Sequence, residues 1–248
     1  MGILNVTPDS FADGGRFNSL VSAVKHAREM MSEAVDIIDI GGESTRPGAD
    51  RVSEEEEISR VIPVITELAK DGVRMSIDTM RASTARAAIQ AGAQIINDVS
   101  GGLADPEMLT TAAELKTPFI AMHWRGQSKD MNSMANYGDV VKDVIFELQA
   151  RISAALDAGI TKDNLIIDPG IGFAKTTDHN WEIIDRIHEF VALGYPVLIA
   201  ASRKRFLGAL TPDERESASV ELTRRLSTSG IWAVRVHSVK PHKDVLRA

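Results

Sequence analysis

Short β-branched apolar runs alternate along the chain with longer stretches in which apolar residues recur every three or four positions, the pattern of βαβ units around a parallel sheet. Eight runs stand out, at 3–6, 37–40, 75–78, 95–98, 119–123, 165–168, 197–200 and 232–237. Their polar ends, marked by Asn5, Asp39, Asp78, Asn97, His123, Asp168, Ser202 and Arg235, lie 19 to 45 residues apart, room for a strand, a helix and two loops each time. Between the first two, Val21, Val24, Ala27, Met30, Met31 and Ala34 share a helical face, with Ser19 as the expected N-cap. Ser53 before Glu54, Glu55, Glu56 and Glu57 predicts another capped helix whose solvated carboxylates favour the positive end of the dipole. Helices are also expected over 178–191 and 213–226. No linker-like tract divides the chain, so residues 1–248 are expected to form one domain.

Nearly every apolar run stops in polar, charged or glycine residues. In a closed parallel barrel these ends meet at one rim, where sites of that fold are built, so a single α/β TIM (β/α)8 barrel with one polar pocket is expected. A doubly wound sheet is the alternative, with its chemistry confined to one or two switch points.

Composition narrows the chemistry. The 248 residues carry 28 basic and 35 acidic side chains, a net charge of −7, and no basic stretch interleaved with aromatics. This argues against nucleic acid as partner and for a small-molecule substrate. No run approaches the ~18 apolar residues of a membrane span, so a cytoplasmic protein without a membrane partner is expected. With no cysteine, disulfides, thiolate nucleophiles and cysteine-ligated metals are excluded.

The segment from Gly170 to Lys175 begins like a dinucleotide fingerprint but ends in lysine, and no Walker loop, serine-hydrolase elbow or zincin helix is present. What remains is a set of carboxylates and an amide, Asp78, Asn97 and Asp168, and a cationic set, Arg46, Arg203, Lys204, Arg235 and His237. Carboxylates can accept paired N–H groups from a 2-amino-pyrimidinone ring, and cations suit a pyrophosphate. Asp9, Asp39 and Asp98 are balanced between loop caps and ligands. His26, His188 and His242 are expected on helix surfaces, His179 at a cap, and His123 packed against the barrel.

The motifs are recognisable. Met1-Gly2-Ile3-Leu4-Asn5-Val6-Thr7-Pro8-Asp9-Ser10-Phe11 and Asp39-Ile40-Gly41-Gly42-Glu43-Ser44-Thr45-Arg46-Pro47-Gly48 resemble the two signature loops of the dihydropteroate synthases. So do Ser76-Ile77-Asp78-Thr79, Ile96-Asn97-Asp98-Val99, Met122-His123, Asp168-Pro169-Gly170-Ile171-Gly172-Phe173, Ser202-Arg203-Lys204 and Arg235-Val236-His237, in order across almost the whole chain. The resemblance implies a TIM barrel that joins 6-hydroxymethyl-7,8-dihydropterin pyrophosphate to para-aminobenzoate. It implies that Asp78, Asn97, Met122, Asp168, Phe173 and Lys204 hold the pterin, and that Asn5, Arg235 and His237 hold the pyrophosphate, Asn5 through Mg2+. It places para-aminobenzoate against Pro8, Phe11, Thr45, Arg46, Pro47 and Ser202, and gives Lys204, Asp78, Arg235 and Asp9 to catalysis. A pterin-binding barrel of the corrinoid methyltransferase type and a non-catalytic pterin-binding barrel are the rivals.

Three departures from the family stand out. Ala34 occupies a turn before the second strand where glycine is usual, helix residues 221–226 carry three charges, and only seven residues follow Pro241. The family commonly forms a homodimer through its last helices, and the short C-terminal helix bears on that expectation. The chain also starts directly at its first barrel strand.

Overall fold

Each of the eight apolar runs forms a strand in the computed structural model, which describes residues 1–7, 15–43, 51–126, 131–208 and 211–247. The strands are β1 (Gly2–Asn5), β2 (Ile38–Gly41), β3 (Met75–Asp78), β4 (Ile95–Asp98), β5 (Phe119–Met122), β6 (Leu165–Asp168), β7 (Leu198–Ile199) and β8 (Ala233–Val234). β1 to β6 pair in chain order, every pair parallel, and β7 pairs with β8 in the same sense. Two parallel bridges, Ile167 with Val197 and Gly2 with Val236, join these sheets into a closed barrel. At the second seam Ile3 N–H donates to the Val236 carbonyl and Val236 N–H to that of Met1, both at 2.9 Å. A doubly wound sheet would reverse its strand order, and none of these strands does.

The helices are α1 (Gly15–Ser32), α2 (Glu54–Ala69), α3 (Ala82–Ala91), α4 (Met108–Leu115), α5 (Val140–Asp157), α6 (Thr177–Asp185), α7 (Ile187–Val191), α8 (Pro212–Leu226) and α9 (Val239–Arg247). Ser53 caps α2 as expected, its side chain accepting from Glu56 N–H. Ser19 does not cap α1: the helix starts at Gly15, because no residue between there and Ser19 breaks it and a single cap signal yields to context. The helix expected over 178–191 is divided at Arg186, whose guanidinium is tied to Asp139, Glu182 and Glu189.

Two further expectations are corrected by packing. Glu57 is not solvated but buried at the start of α2, where it accepts from Arg81 and Thr84. His242 is not a surface residue: α9 lies on α8, putting its ring against Thr223 Oγ1 at 2.7 Å and near Glu216.

The core has two layers set by the strand pleat. Ile38, Ile40, Ile77, Ile96, Ala121, Ile167 and Ile199 point outward and pack with the helices. Ile37, Ile95, Ile120, Ile166 and Leu198 form a separate cluster that fills the N-terminal end of the barrel. Because side chains alternate, residues two further along share that inward direction, and there the sequence turns polar at Asp39, Asn97 and Asp168, with Met122 the apolar member of the same layer.

Candidate active site

At the C-terminal rim the register places Asn5 beside Gly41, Gly41 beside Asp78, Asp78 beside Asn97, and Met122 beside Asp168. Gly41 leaves the space open: a methyl there would lie 3.7 Å from Asp78 Oδ2 and 3.8 Å from Asn5 Oδ1. Arg235, at the end of β8, reaches across this floor. Its Nη2 donates to Asp78 Oδ2 at 2.7 Å and its Nε to Asp39 Oδ2 at 2.5 Å.

Asp39 is fully buried one pleat below the rim and organises the site rather than lining it. It accepts from Ser76 Oγ at 2.5 Å, from Asn97 Nδ2 at 3.1 Å, and from Arg235. One carboxylate therefore orients both an amide and a guanidinium. Sequence reasoning left Asp39 between cap and ligand; its pleat parity with Ile37 is the signal that assigns it to the interior.

On the opposite side, Asp168 Oδ1 accepts from Gly170 N–H at 2.7 Å. The Lys204 ammonium donates to the Ile171 carbonyl and lies 4.6 Å from the centre of the Phe173 ring. Gly172 (φ +79°) permits this approach, since a Cβ there would fall 2.8 Å from Lys204 Cδ. Ser202 Oγ lies 3.0 Å from His237 Nδ1, joining the ends of β7 and β8.

Burial dominates the electrostatics. It pushes Asp78 up to about 7, against the opposing pull of Arg235. It lowers Lys204 to about 8, with Asp168 opposing. Burial also raises Asp168, while Lys204 pulls it down. Although burial disfavours its charge, Arg235 stays above its ordinary range because Asp39 and Asp78 face it.

The structure thus brings together Asn5, Asp78, Asn97, Met122, Asp168, Phe173, Ser202, Lys204, Arg235 and His237 around one rim. Two strand-end residues point the other way. Asp98 ties down its loop, accepting from Ser100 N–H and Oγ and from Gly102 N–H, and His123 faces α5 through Glu147. Pro8, Asp9, Phe11, Thr45, Arg46 and Pro47 lie outside the described residues.

The mouth of this closed parallel barrel sets carboxylates and an amide against buried cations, acceptors that suit paired N–H groups and donors that suit an anion, as in a small-molecule site at the rim of a barrel. The comparisons agree with that class. The profile of the pterin binding enzymes matches residues 1–237, and the chain belongs to that family. It is 48% identical over 257 residues to the dihydropteroate synthase of Mycobacterium leprae (strain TN), covering 100% of this chain and 90% of that protein. Among solved structures, the Xanthomonas albilineans dihydropteroate synthase with 4-aminobenzoic acid superimposes with a TM-score of 0.93 at 42% identity, over 100% of this chain and 90% of that one. The same enzyme in complex with 7,8-dihydropteroate gives 0.89 at 39% identity, over 100% and 90%.

Proposed function

We infer that this chain is a transferase that catalyses the dihydropteroate synthase reaction of folate biosynthesis: 6-hydroxymethyl-7,8-dihydropterin pyrophosphate and para-aminobenzoate give 7,8-dihydropteroate and pyrophosphate. The observation that carries it is the rim itself, with Arg235 shared by Asp39 and Asp78 across from Asp168 and Lys204, in a chain about half identical to a named synthase over its full length.

The chemistry this site suits is dissociative. The bond between the pterin methylene carbon and the pyrophosphate oxygen breaks, and its electron pair leaves with pyrophosphate. The resulting methylene cation is delocalised into the electron-rich ring. The aniline nitrogen of para-aminobenzoate then attacks the methylene and releases a proton. No covalent nucleophile is needed. What matters is a carboxylate near the developing cation, cations for the leaving group, and two substrates held together. We assign Asp78 to the first role and Arg235 with His237 to the second. Asn97, Met122, Asp168, Phe173 and Lys204 hold the pterin, and Ser202 faces para-aminobenzoate. Asp9, Pro8, Phe11, Thr45, Arg46 and Pro47 complete the site in the same proposal.

Magnesium belongs to the proposal too. The donor set fits a hard ion, because Asn5 Oδ1 and Asp78 Oδ2 flank the open space above Gly41. Among the described residues no group of three or more histidines or acids forms a metal cage, which suits an ion held mainly by phosphate oxygens and water. Asn5 would hold it, and when bound it would neutralise charge on the departing pyrophosphate. A cytoplasmic location and a homodimer through the last helices are likewise proposed. Among the described residues, no helix is long and apolar enough to cross a membrane.

The test is pyrophosphate release from the dihydropterin pyrophosphate, with and without para-aminobenzoate and magnesium. Absence of any para-aminobenzoate-dependent release overturns the proposal, and calorimetric binding of the pterin substrate without turnover favours a barrel that only binds pterin. Lys204→Ala and Asp78→Ala are each expected to abolish turnover with the circular-dichroism spectrum unchanged; near-normal rates in either would refute the assignment.

A further inference from the structure

Behind the pterin side of the rim lies a circuit of polar groups that the reaction outlined above does not use. Lys175 follows the loop that carries Asp168 and Phe173, and its ammonium is directed back into that loop. It donates to the Gly170 carbonyl and to the Phe173 carbonyl, both at 3.1 Å, and its third proton points at His123 Nδ1, 2.9 Å away. An ammonium has only donors, so His123 must accept at Nδ1 and carry its proton on Nε2. That Nε2 lies 2.9 Å from Glu147 Oε2 on α5.

The circuit continues and returns to its start. Arg125 grips both oxygens of Glu147 and lies 3.9 Å over the Tyr137 ring. The Tyr137 hydroxyl donates to the carbonyl of Ala174, the residue before Lys175, at 3.0 Å. Burial lowers Lys175 to about 7, with Asp168 opposing, so the ammonium is the form present below that pH. Burial, with Lys175 adding to it, lowers His123 to about 4, so the ring is neutral. Although burial works the other way, hydrogen bonds from His123 and Arg125 hold Glu147 down at about 2.

What this circuit fixes is a loop that would not hold its shape unaided. Gly170 takes φ +71°, and a Cβ there would come within 2.5 Å of the His123 carbonyl. Ala174 takes φ +49°, a left-handed conformation costly for any residue with a Cβ. The Gly170 peptide is pinned on both sides, its N–H by Asp168 and its carbonyl by Lys175. Lys175 also holds Phe173, the ring over which Lys204 sits.

We propose that Lys175 is a positioning residue of the pterin subsite: its ammonium, seated by His123 and the Glu147–Arg125–Tyr137 circuit, fixes loop 169–174 so that Asp168 and Phe173 face the heterocycle. The proposal rests on the synthase reaction inferred above and assigns a role to Lys175, Glu147, Arg125 and Tyr137, which lie outside the motifs that suggested that reaction. It predicts a selective defect, because para-aminobenzoate does not contact this loop in the proposed site.

The experiment compares wild type with Lys175→Met, which keeps the stem and removes the donors, and Lys175→Arg, which restores a cation. In Lys175→Met the KM for dihydropterin pyrophosphate is expected to rise tenfold or more. The KM for para-aminobenzoate and kcat at saturation should stay within threefold, and Lys175→Arg should recover at least half of the loss on a logarithmic scale. A lesion that merely reduces the folded fraction would lower kcat and leave both KM values alone, and that result overturns the proposal. If Lys175→Met does not fold, Tyr137→Phe carries the test, since it deletes one hydroxyl from the same circuit; an unchanged pterin KM there also overturns it. Calorimetric affinity for the pterin substrate is measured on the same proteins. Its loss in Lys175→Met supports the positioning role even should wild type give no para-aminobenzoate-dependent pyrophosphate release, a result that would refute the reaction alone.

Discussion

At the scale of single residues, the site depends on charges held away from their ordinary titration ranges. Burial raises Asp78 to about 7 and lowers Lys204 to about 8, so both are half-titrated within two pH units of each other. A carboxylate that must be ionised beside a cation loses that role as pH falls through its pKa, and an ammonium loses its role as pH rises through its own. The expected kcat/KM profile is therefore a bell, falling below about pH 7 and above about pH 8. A rate flat from about pH 6 to about pH 9 would contradict it. Asp39 is the other residue on which the site turns, because it satisfies Ser76, Asn97 and Arg235 at once. Asp39→Asn leaves an amide facing those donors, and breaking a buried charge pair costs about 3 kcal/mol. Denaturant unfolding should register that loss, together with turnover reduced at least tenfold although Asp39 touches no substrate. Asp39 was visible in the sequence as a strand-end acid, but only its partners distinguish an organiser from a cap.

At the scale of elements, the turn from α1 into β2 shows a local rule broken and its consequence. Ala34 has φ +62°, the left-handed conformation that glycine adopts without penalty. Ala34→Gly is expected to stabilise the protein by about 1 kcal/mol with turnover unchanged. Chemical denaturation checks the first part and the pyrophosphate assay the second; a destabilised variant would show that the alanine methyl contributes packing that outweighs the strain. This cost was legible before the structure, because a helix end followed by a strand with no glycine leaves another residue to turn the chain. The burial of Glu57 was not legible. Four glutamates in the first turn of α2 look alike in sequence, and only the arrival of Arg81 and Thr84 from the next βα unit singles out the fourth.

At the scale of the whole molecule, the barrel is unevenly laced. Strands β2 to β5 have four residues each and a neighbour on both sides, whereas β7 and β8 pair over two residues and meet the rest through single bridges. Opening free energies follow such differences. Native-state hydrogen exchange should find the amides of Ile38 and Ile96 protected more than those of Trp232 and Arg235; equal protection would mean that the barrel opens only as one unit. The sequence by itself determined the eight strands, the rim on which the polar ends meet, and the family, because strand periodicity, strand-end polarity and ordered motifs are local properties that survive without coordinates. Which strand-end residues enter the barrel was decided only by tertiary structure. Pleat parity turns Asp39, Asp78, Asn97 and Asp168 inward while Asp98 and His123 point out, and closure brings Arg235 from the last strand onto carboxylates of the second and third, across 196 and 157 residues of chain. A contact of that span rests on the pairing of every strand between, and no stretch of sequence contains it.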